Sequence, residues 1–291
     1  MTVLHLDSGR EMRGGQHQAL ALIEGLRAAG HENRVLARPA TPFFERARAA
    51  PLSLLAVRTA SRGADLIHAH DSRSHTLAAV AGVAPLVVAR RVAFPAGRSL
   101  AARWKYGRAA RFLAVSRYVA GELERAGVAP ERISVVYDGV EVPAAVRPRD
   151  GDRIVALRSS DPLKANDLLA ATGLPVEYTE NLLRDLPGAA VFVYLSRSEG
   201  LGSAALLAMA QGVPVVASRT GGLPEVVEHE RTGLLTANEP GAVRAAVERL
   251  LADPELAAAC AARARERVAR EFSTSTMVEA TLAAYRKALP G

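Results

Sequence analysis

Short β-rich apolar runs alternate with helical segments along almost the whole of this 291-residue chain, the pattern of parallel sheets wrapped by helices. In the first half, strands are expected at Val3–Leu6, Arg34–Leu36, Leu66–His68, Leu86–Ala89, Phe112–Val115 and Ser134–Val136. After the first of them, GGQHQALALIEGLRAAG places Ala19, Leu22, Ile23 and Leu26 on one helix face, with Gly30 as a stop. Pro143 and Pro148 mark Val140–Asp152 as a linker. The second half resumes with strands at Ile154–Leu157, Val176–Tyr178, Val191–Leu195, Val213–Ala217 and Gly233–Leu235, and closes with helices over Ala242–Leu251, Glu255–Arg270 and Thr274–Ala288. The expected fold is α/β, with two doubly wound Rossmann-like domains facing across a cleft. Their expected bounds are 1–147 and 148–273, with a helix in 274–291 packing back toward the first domain. Ligands of such sheets bind beyond the carboxyl ends of the strands, so the strand-to-helix loops are where chemistry is sought.

Charge divides the same way. Residues 1–149 carry 22 Lys+Arg against 12 Asp+Glu, a balance of +10, whereas residues 150–291 carry 15 against 18, a balance of −3. A basic half beside a mildly acidic one points to different partners for the two domains. The preference for arginine and alanine also fits a GC-rich genome. MTVLHLDSGR lacks a basic lead-in, so no secretory signal is read there. The longest nearly apolar run, Thr76–Ala89, is too short to span a bilayer and contains Gly82 and Pro85. The single cysteine, Cys260, excludes an internal disulfide and reads as an inert buried thiol. A cytoplasmic location is expected.

The most informative stretch is SEGLGSAALLAMAQGVPVVAS, Ser198 to Ser218. A buried strand precedes it and Ser203–Ala210 reads as the following helix, so Ser196–Gly202 is a strand-to-helix loop. Gly200 and Gly202, flanking Leu201, permit positive φ and close backbone approach. The helix start beyond them offers amides and a positive dipole end to an anion. Glu199 can accept hydrogen bonds from sugar hydroxyls; equally, the loop can be a tight turn with a surface glutamate. A second buried strand and a second glycine pair, Gly221–Gly222 in RTGGLPEVVEHERTGLL, follow directly. Two glycine-rich loops at adjacent strand ends make a phosphate-sized cradle.

With that context, SEGLGSAALLAMAQGVPVVASRTGGLPEVVEHERTGLL resembles the donor-site signature of the retaining glycosyltransferases of family 4, the group 1 glycosyltransferases of GT-B fold. RGGQHQALALIEGLRAAGHE resembles that family's glycine-pair loop and first helix, ADLIHAHDS its histidine-bearing strand, and FLAVSRYVAGEL with ISVVYDGVE the segment leading to the interdomain hinge. The resemblance implies transfer of a sugar, with retention, from a nucleotide diphosphate donor (a UDP- or GDP-sugar) to an envelope glycan or lipid-linked acceptor. It implies no separate cofactor and no essential metal. In the family, an arginine and a lysine six apart clamp the donor diphosphate. Arg158 and Lys164 in LRSSDPLKANDLL have that spacing, and such a pair stabilises charge that grows as the glycosidic bond breaks. Two solvated surface cations are the alternative, weighed against the fact that the chain has only three lysines. By the same resemblance His70 contacts the transferred sugar, Glu199 orients it, and Gly14 and Gly15 bring backbone to the donor phosphates. A core histidine and a plain β-to-α turn are the competing readings. His68, His70, Asp71 and His75 sketch a metal site whose spacing fits no specific zinc pattern.

Two departures stand out. The family's second glutamate, which holds the ribose hydroxyls, falls at Leu207. A carboxylate-to-hydroxyl bond contributes about 1.5–3 kcal/mol, so its absence weakens donor binding about tenfold to a hundredfold. Between Lys164 and Glu199 there is room for one strand and two short helices only, so the second domain is expected to be trimmed. Both motivate an alternative, a non-catalytic GT-B relative that binds glycan or nucleotide or acts as a scaffold. A sugar-nucleotide epimerase or hydrolase on the same fold is a third reading.

Arg90 to Arg111, RRVAFPAGRSLAARWKYGRAAR, gathers seven basic residues around Phe94, Trp104 and Tyr106 without an acid. As a helix over Ser99–Arg111 it suits an anionic membrane surface; a solvated arginine-rich face is the alternative. No recognised nucleic-acid-binding fold accompanies it, so nucleic acid is not an expected partner.

Overall fold

The structure, a computed structural model, describes residues 1–82, 85–94, 97 and 99–289. Residues 83 and 84 of the apolar run, 95, 96 and 98 of the basic segment, and 290 and 291 of the C-terminal segment lie outside the described residues. In chain order the elements are β1 (Thr2–Asp7), α1 (Gly14–Ala28), β2 (Glu32–Ala37), α2 (Pro42–Ala47), β3 (Ala50–Pro51), α3 (Leu54–Ser61), β4 (Leu66–Ala69), α4 (Ser72–Ala81), β5 (Leu86–Arg90), α5 (Leu100–Gly107), β6 (Arg111–Ala114), α6 (Arg117–Arg125) and β7 (Ile133–Val135). Then come β8 (Ile154–Leu157), α7 (Asn166–Ala170), β9 (Val176–Thr179), α8 (Leu182–Asp185), β10 (Val191–Tyr194), α9 (Ser203–Ala210), β11 (Val215–Ser218), α10 (Leu223–Val226), β12 (Leu234–Thr236), α11 (Pro240–Ala252), α12 (Pro254–Glu271) and α13 (Thr274–Arg286). They form two compact units, Met1–Gly139 with Thr274–Gly291, and Val140–Ser273.

The first unit is built on a seven-stranded sheet in the order β3-β2-β1-β4-β5-β6-β7, parallel throughout. Val3, Leu4, Leu6, Leu66, Ile67 and Val87 are fully buried, because helices cover both faces and the strands read as continuous apolar runs. The chain moves outward from β1 through β2 and β3, then returns to β4 on the other side of β1. The switch point, where such sheets bind ligands, therefore lies between the carboxyl ends of β1 and β4. On one face Leu22 and Leu26 of α1 pack with Met277, Val278 and Tyr285 of α13, each buried leucine contributing about 1.5–3 kcal/mol. The two helices meet at Gly25, where a Cβ would fall 2.5 Å from Val278 Cγ2.

The second unit has a five-stranded parallel sheet in the order β12-β11-β10-β8-β9. One strand, β9, with α7 and α8 beside it, is all that separates β8 from β10 in sequence, and the switch point falls between β8 and β10. The helix α9 is apolar nearly all round and buries Ala205, Leu206, Ala208, Met209 and Ala210. The alanine-rich face of α12, with Ala257, Cys260, Ala261 and Ala264, is buried as well; α9 and α12 pack together, small side chains allowing close approach. Burial raises the Cys260 thiol pKa, as befits an inert thiol.

The sequence reading missed the two-residue edge strand β3, too short to show a period. It also carried a helix through Ser99–Arg111; α5 stops at Gly107, because Arg111 opens the buried strand β6. Among the described residues, no helix is long and apolar enough to cross a membrane.

Candidate active site

In the second unit the chain leaves β8 at Leu157 and turns through Arg158 to a 3₁₀ turn over Pro162–Lys164. Asp161 caps that turn, accepting from the Leu163 amide at 3.0 Å. The Leu163 carbonyl accepts from the Arg197 amide at 2.7 Å and from Ser196 Oγ at 2.9 Å, which ties the turn to the loop after β10. Directly after Lys164, buried Ala165 adopts a left-handed φ of 48°, a conformation that costs an L-residue roughly 1–2 kcal/mol. The bracing directs Lys164 at the exit of β10. Its Nζ lies 2.6 Å from Glu199 Oε2 and 2.6 Å from the Tyr194 hydroxyl, and that hydroxyl donates to the same Oε2 at 2.6 Å. Burial first, and Glu199 second, push the Tyr194 pKa well above its ordinary value, so the phenol keeps its proton and donates. The ammonium and carboxylate side chains are only 25% and 14% exposed, where screening by water is reduced.

The glycine loops meet around Glu199. Gly222 donates its N–H to the Glu199 carbonyl at 3.0 Å. A Cβ on Gly221 (φ 57°) would fall 2.1 Å from the Glu199 carbonyl oxygen, and one on Gly222 would fall 2.2 Å from that of Gly200. Gly202, left-handed at φ 109°, precedes α9 and faces Leu223, whose Cδ2 would sit 2.5 Å from an added Cβ. These glycines let two loops pack backbone on backbone and fix the main chain of Glu199, Gly200 and buried Leu201. Helix α9 begins without a side-chain cap, the setting in which helix amides meet an anion.

Arg158 takes a separate place. It is exposed, and its guanidinium stands 5.8 Å from the ring centroid of Tyr178 on β9. Lys164 and Glu199 are thus brought into contact, while Arg158 stacks at the neighbouring strand end. Leu207 lies on α9, half-buried, with no polar atom to offer a ribose. The strand-end tyrosine of VFVYL, Tyr194, is the member the sequence reading missed; its place at the carboxyl end of the strand, two residues before the loop, was the available signal.

In the first unit, the loop after β1 and the start of α4 are joined by Asp71. Its carboxylate accepts from the amides of Arg73 and Ser74 at 2.8 and 3.0 Å and from the amide and hydroxyl of Ser8, both at 2.6 Å. His75 turns away to the Lys105 carbonyl, 3.1 Å from Nε2. The metal sketch of His68, His70, Asp71 and His75 is therefore not assembled, since an N-cap consumes the carboxylate and His75 faces elsewhere. His70 is buried; its Nε2 lies 3.0 Å from His5 Nδ1 and its Nδ1 lies 3.4 Å from an Arg91 nitrogen. Arg91 in turn pairs with Asp138 at 3.3 Å. Gly14 opens α1 with nothing within 4 Å of an added Cβ, and Gly15 has only Arg91 Cδ, at 3.9 Å. Backbone at this glycine pair is open, unlike that at Gly221–Gly222.

The basic segment is not one solvated face. Arg90 donates to the Phe94 carbonyl, Arg91 is held by Asp138, and buried Arg111 donates to Ser134 Oγ; Arg98 lies outside the described residues. On α5, Arg103 and Trp104 are exposed, as is Arg108 at its C-terminal cap, with Leu100 83% exposed, and Lys105 reaches Ser72 Oγ at 3.1 Å.

Comparison with known proteins gives this geometry its context. A family model described as Glycosyltransferase Family 4 matches residues 12–142, and one described as Glycosyl transferases group 1 matches residues 172–267. The alpha-maltose-1-phosphate synthase of Mycolicibacterium smegmatis is 45% identical over 116 residues, which are 38% of this chain and 30% of that protein. The MMP alpha-(1->4)-mannosyltransferase of Mycolicibacterium hassiacum is 31% identical over 206 residues, 56% of this chain and 50% of that protein. The chain thus spans half or less of the length of these relatives. Among solved structures, Anabaena Alr3699/HepE in complex with UDP and glucose superposes with a TM-score of 0.85 at 18% identity, over 98% of this chain and 99% of that one. Sucrose-phosphate synthase from Thermosynechococcus elongatus gives 0.78 at 19% identity, over 99% of both chains. The fold is that of these two proteins.

Proposed function

The chain belongs to the group 1 glycosyltransferases, with the GT-B fold, and from that premise we propose that it transfers a sugar, with retention, from a nucleotide diphosphate donor to an envelope glycan or lipid-linked acceptor. The observation that carries the reading is the Lys164–Glu199–Tyr194 contact at the switch point of the second sheet. A donor diphosphate brings charge that competes for the Lys164 ammonium. When the phosphate takes it, the Glu199 carboxylate is released to accept hydrogen bonds from the sugar hydroxyls. One contact thereby couples donor arrival to sugar orientation. As the glycosidic bond breaks, negative charge grows on the leaving diphosphate, and Lys164 and Arg158 stabilise it more than they stabilise the ground state. The Gly200–Leu201–Gly202 and Gly221–Gly222 backbones hold that constellation, and the start of α9 adds amides.

In the first unit the reading gives His70 a contact with the transferred sugar and the open Gly14–Gly15 backbone a contact with donor phosphate. The exposed face of α5, with Arg103 and Trp104, and Arg108 at its C-terminal cap are the part of the basic segment available to an anionic membrane bearing the acceptor. HepE, with UDP, glucose or UDP-glucose bound, and a relative named as a GDP-mannose-dependent mannosyltransferase, support UDP- and GDP-sugars as the donors to test. Calorimetric titration with UDP-glucose and GDP-mannose is expected to show binding of one of them, abolished by Lys164→Ala. Binding of neither sugar, and of neither free UDP nor GDP, overturns the assignment and favours the second reading, a non-catalytic scaffold, to which the leucine at 207 already points.

A further inference from the structure

We infer that His5, His68 and His70 form a binding site in the first unit for a late first-row divalent cation of the zinc class. The placement follows from strand geometry. β1 and β4 are parallel neighbours with His5 opposite His68, and His70, two residues beyond His68, projects from the same face of its strand. Three buried imidazoles result, with ring centroids 5.7, 5.2 and 4.1 Å apart. One nitrogen from each lies within 4.8 Å of the others.

The inner nitrogens are what a cation would use. His5 Nδ1 and His70 Nε2 face each other at 3.0 Å, and His68 Nε2 is buried without any hydrogen-bond partner. Two imidazoles on a tetrahedral ion, with metal–nitrogen bonds of about 2.0–2.1 Å, hold their nitrogens about 3.3 Å apart. The observed separation is close to that. A single ion would replace the proton shared by His5 and His70 and give His68 Nε2 the partner it lacks.

The outer nitrogens are held as ligating imidazoles require. His5 Nε2 lies 2.8 Å from Asn33 Oδ1, and the Asn33 amide nitrogen donates to the His31 carbonyl at 2.8 Å, which settles which end is oxygen. His68 Nδ1 lies 2.6 Å from the hydroxyl of fully buried Tyr285. The proton balance is explicit. Since His5 Nε2–H donates to Asn33, its bare Nδ1 accepts from His70 Nε2–H. On ion binding that proton moves to His70 Nδ1, and Arg91 gives up its 3.4 Å contact there while keeping Asp138, which offsets its charge. A crevice lined by His68, Arg91, Tyr137, Asp138 and Met277 adjoins the cluster on the His68 side. An all-imidazole set selects zinc, cobalt, nickel or copper over magnesium and calcium.

An ion on the His70 ring leaves that residue only its backbone with which to meet the transferred sugar, and the test of the site reads metal directly. Untagged full-length protein, stripped with chelator, is titrated with Co2+ and then with competing Zn2+, followed by visible d–d absorption and equilibrium dialysis. The expected result is one Co2+ per chain with the bands of four-coordinate cobalt, displaced by Zn2+. His68→Gln is expected to abolish this. Tyr285→Phe, which preserves the buried ring and so the fold, is expected to weaken it about tenfold, and His229→Gln in the second unit to leave it unchanged. Wild-type protein that binds neither ion at micromolar concentration, or binding that persists in both His68→Gln and Tyr285→Phe, overturns the inference.

Discussion

The Lys164 ammonium lies 2.6 Å from Glu199 Oε2, and the Tyr194 hydroxyl closes the triangle by donating to the same oxygen at 2.6 Å. The two charges come from different loops, one after β8 and one after β10, so the contact also joins those loops. Lys164→Ala removes the cation proposed to meet the leaving diphosphate and is expected to lower turnover about 10²–10³-fold. It also leaves a half-buried carboxylate with one partner fewer, costing about 1–3 kcal/mol of stability. Steady-state transfer assays and urea unfolding on the same preparation separate the two effects. Wild-type turnover in the variant removes Lys164 from the mechanism.

The two glycine pairs should respond in opposite ways. Gly222→Ala puts a methyl 2.2 Å from the Gly200 carbonyl oxygen and forces the loops apart, with an expected loss above about 3 kcal/mol, in the range of severe overpacking. Gly14→Ala meets nothing within 4 Å and should leave stability within about 0.5 kcal/mol of wild type. Thermal unfolding distinguishes them. A Gly222→Ala protein as stable as wild type contradicts the loop packing described above.

Leu207 offers a gain-of-function test. It is half-buried on α9, so a longer polar side chain can reach solvent. If nucleotide binding lacks a ribose-holding carboxylate there, Leu207→Glu should tighten the donor about tenfold, the equivalent of a single hydrogen bond to a charged group. Titration of UDP and GDP against both proteins reads the change; weaker nucleotide binding in the variant counts against a ribose at this position.

His75 should make the first unit acid-sensitive. It packs against the rings of Tyr106 and Phe112, which also touch each other edge to face. Burial, then the charge of Lys105, lower its pKa to about 4, with Arg90 adding to the shift and Asp71 opposing it. Above the unfolded value near 6.5 both states are neutral and the full stability is present. As pH falls below 6.5 the unfolded chain takes up a proton first, and stability declines by up to about 1.4 kcal/mol per pH unit until the native imidazole titrates. Denaturant unfolding between pH 7 and pH 4 should therefore show a shallower decline for His75→Gln than for wild type. Parallel slopes would show that His75 does not titrate as described.

The sequence alone determined the architecture, because hydrophobic period and glycine placement are local signals. The apolar run of Val191–Tyr194, the helix Ser203–Ala210 and the closing helices ending the chain all follow from neighbours a few residues apart. The spacing of Arg158, Lys164 and Glu199 was legible for the same reason. What each group touches was not. That Lys164 meets Glu199 while Arg158 stacks on Tyr178 depends on strands β8, β9 and β10 standing in the order β10-β8-β9, a non-local pairing. The fate of the glycines was equally hidden, since a glycine that admits a ligand and one that admits another loop read alike in one dimension. His5 shows the limit most clearly: it lies 63 and 65 residues from its two ring partners, and only the parallel register of β1 with β4 brings the three imidazoles to one place.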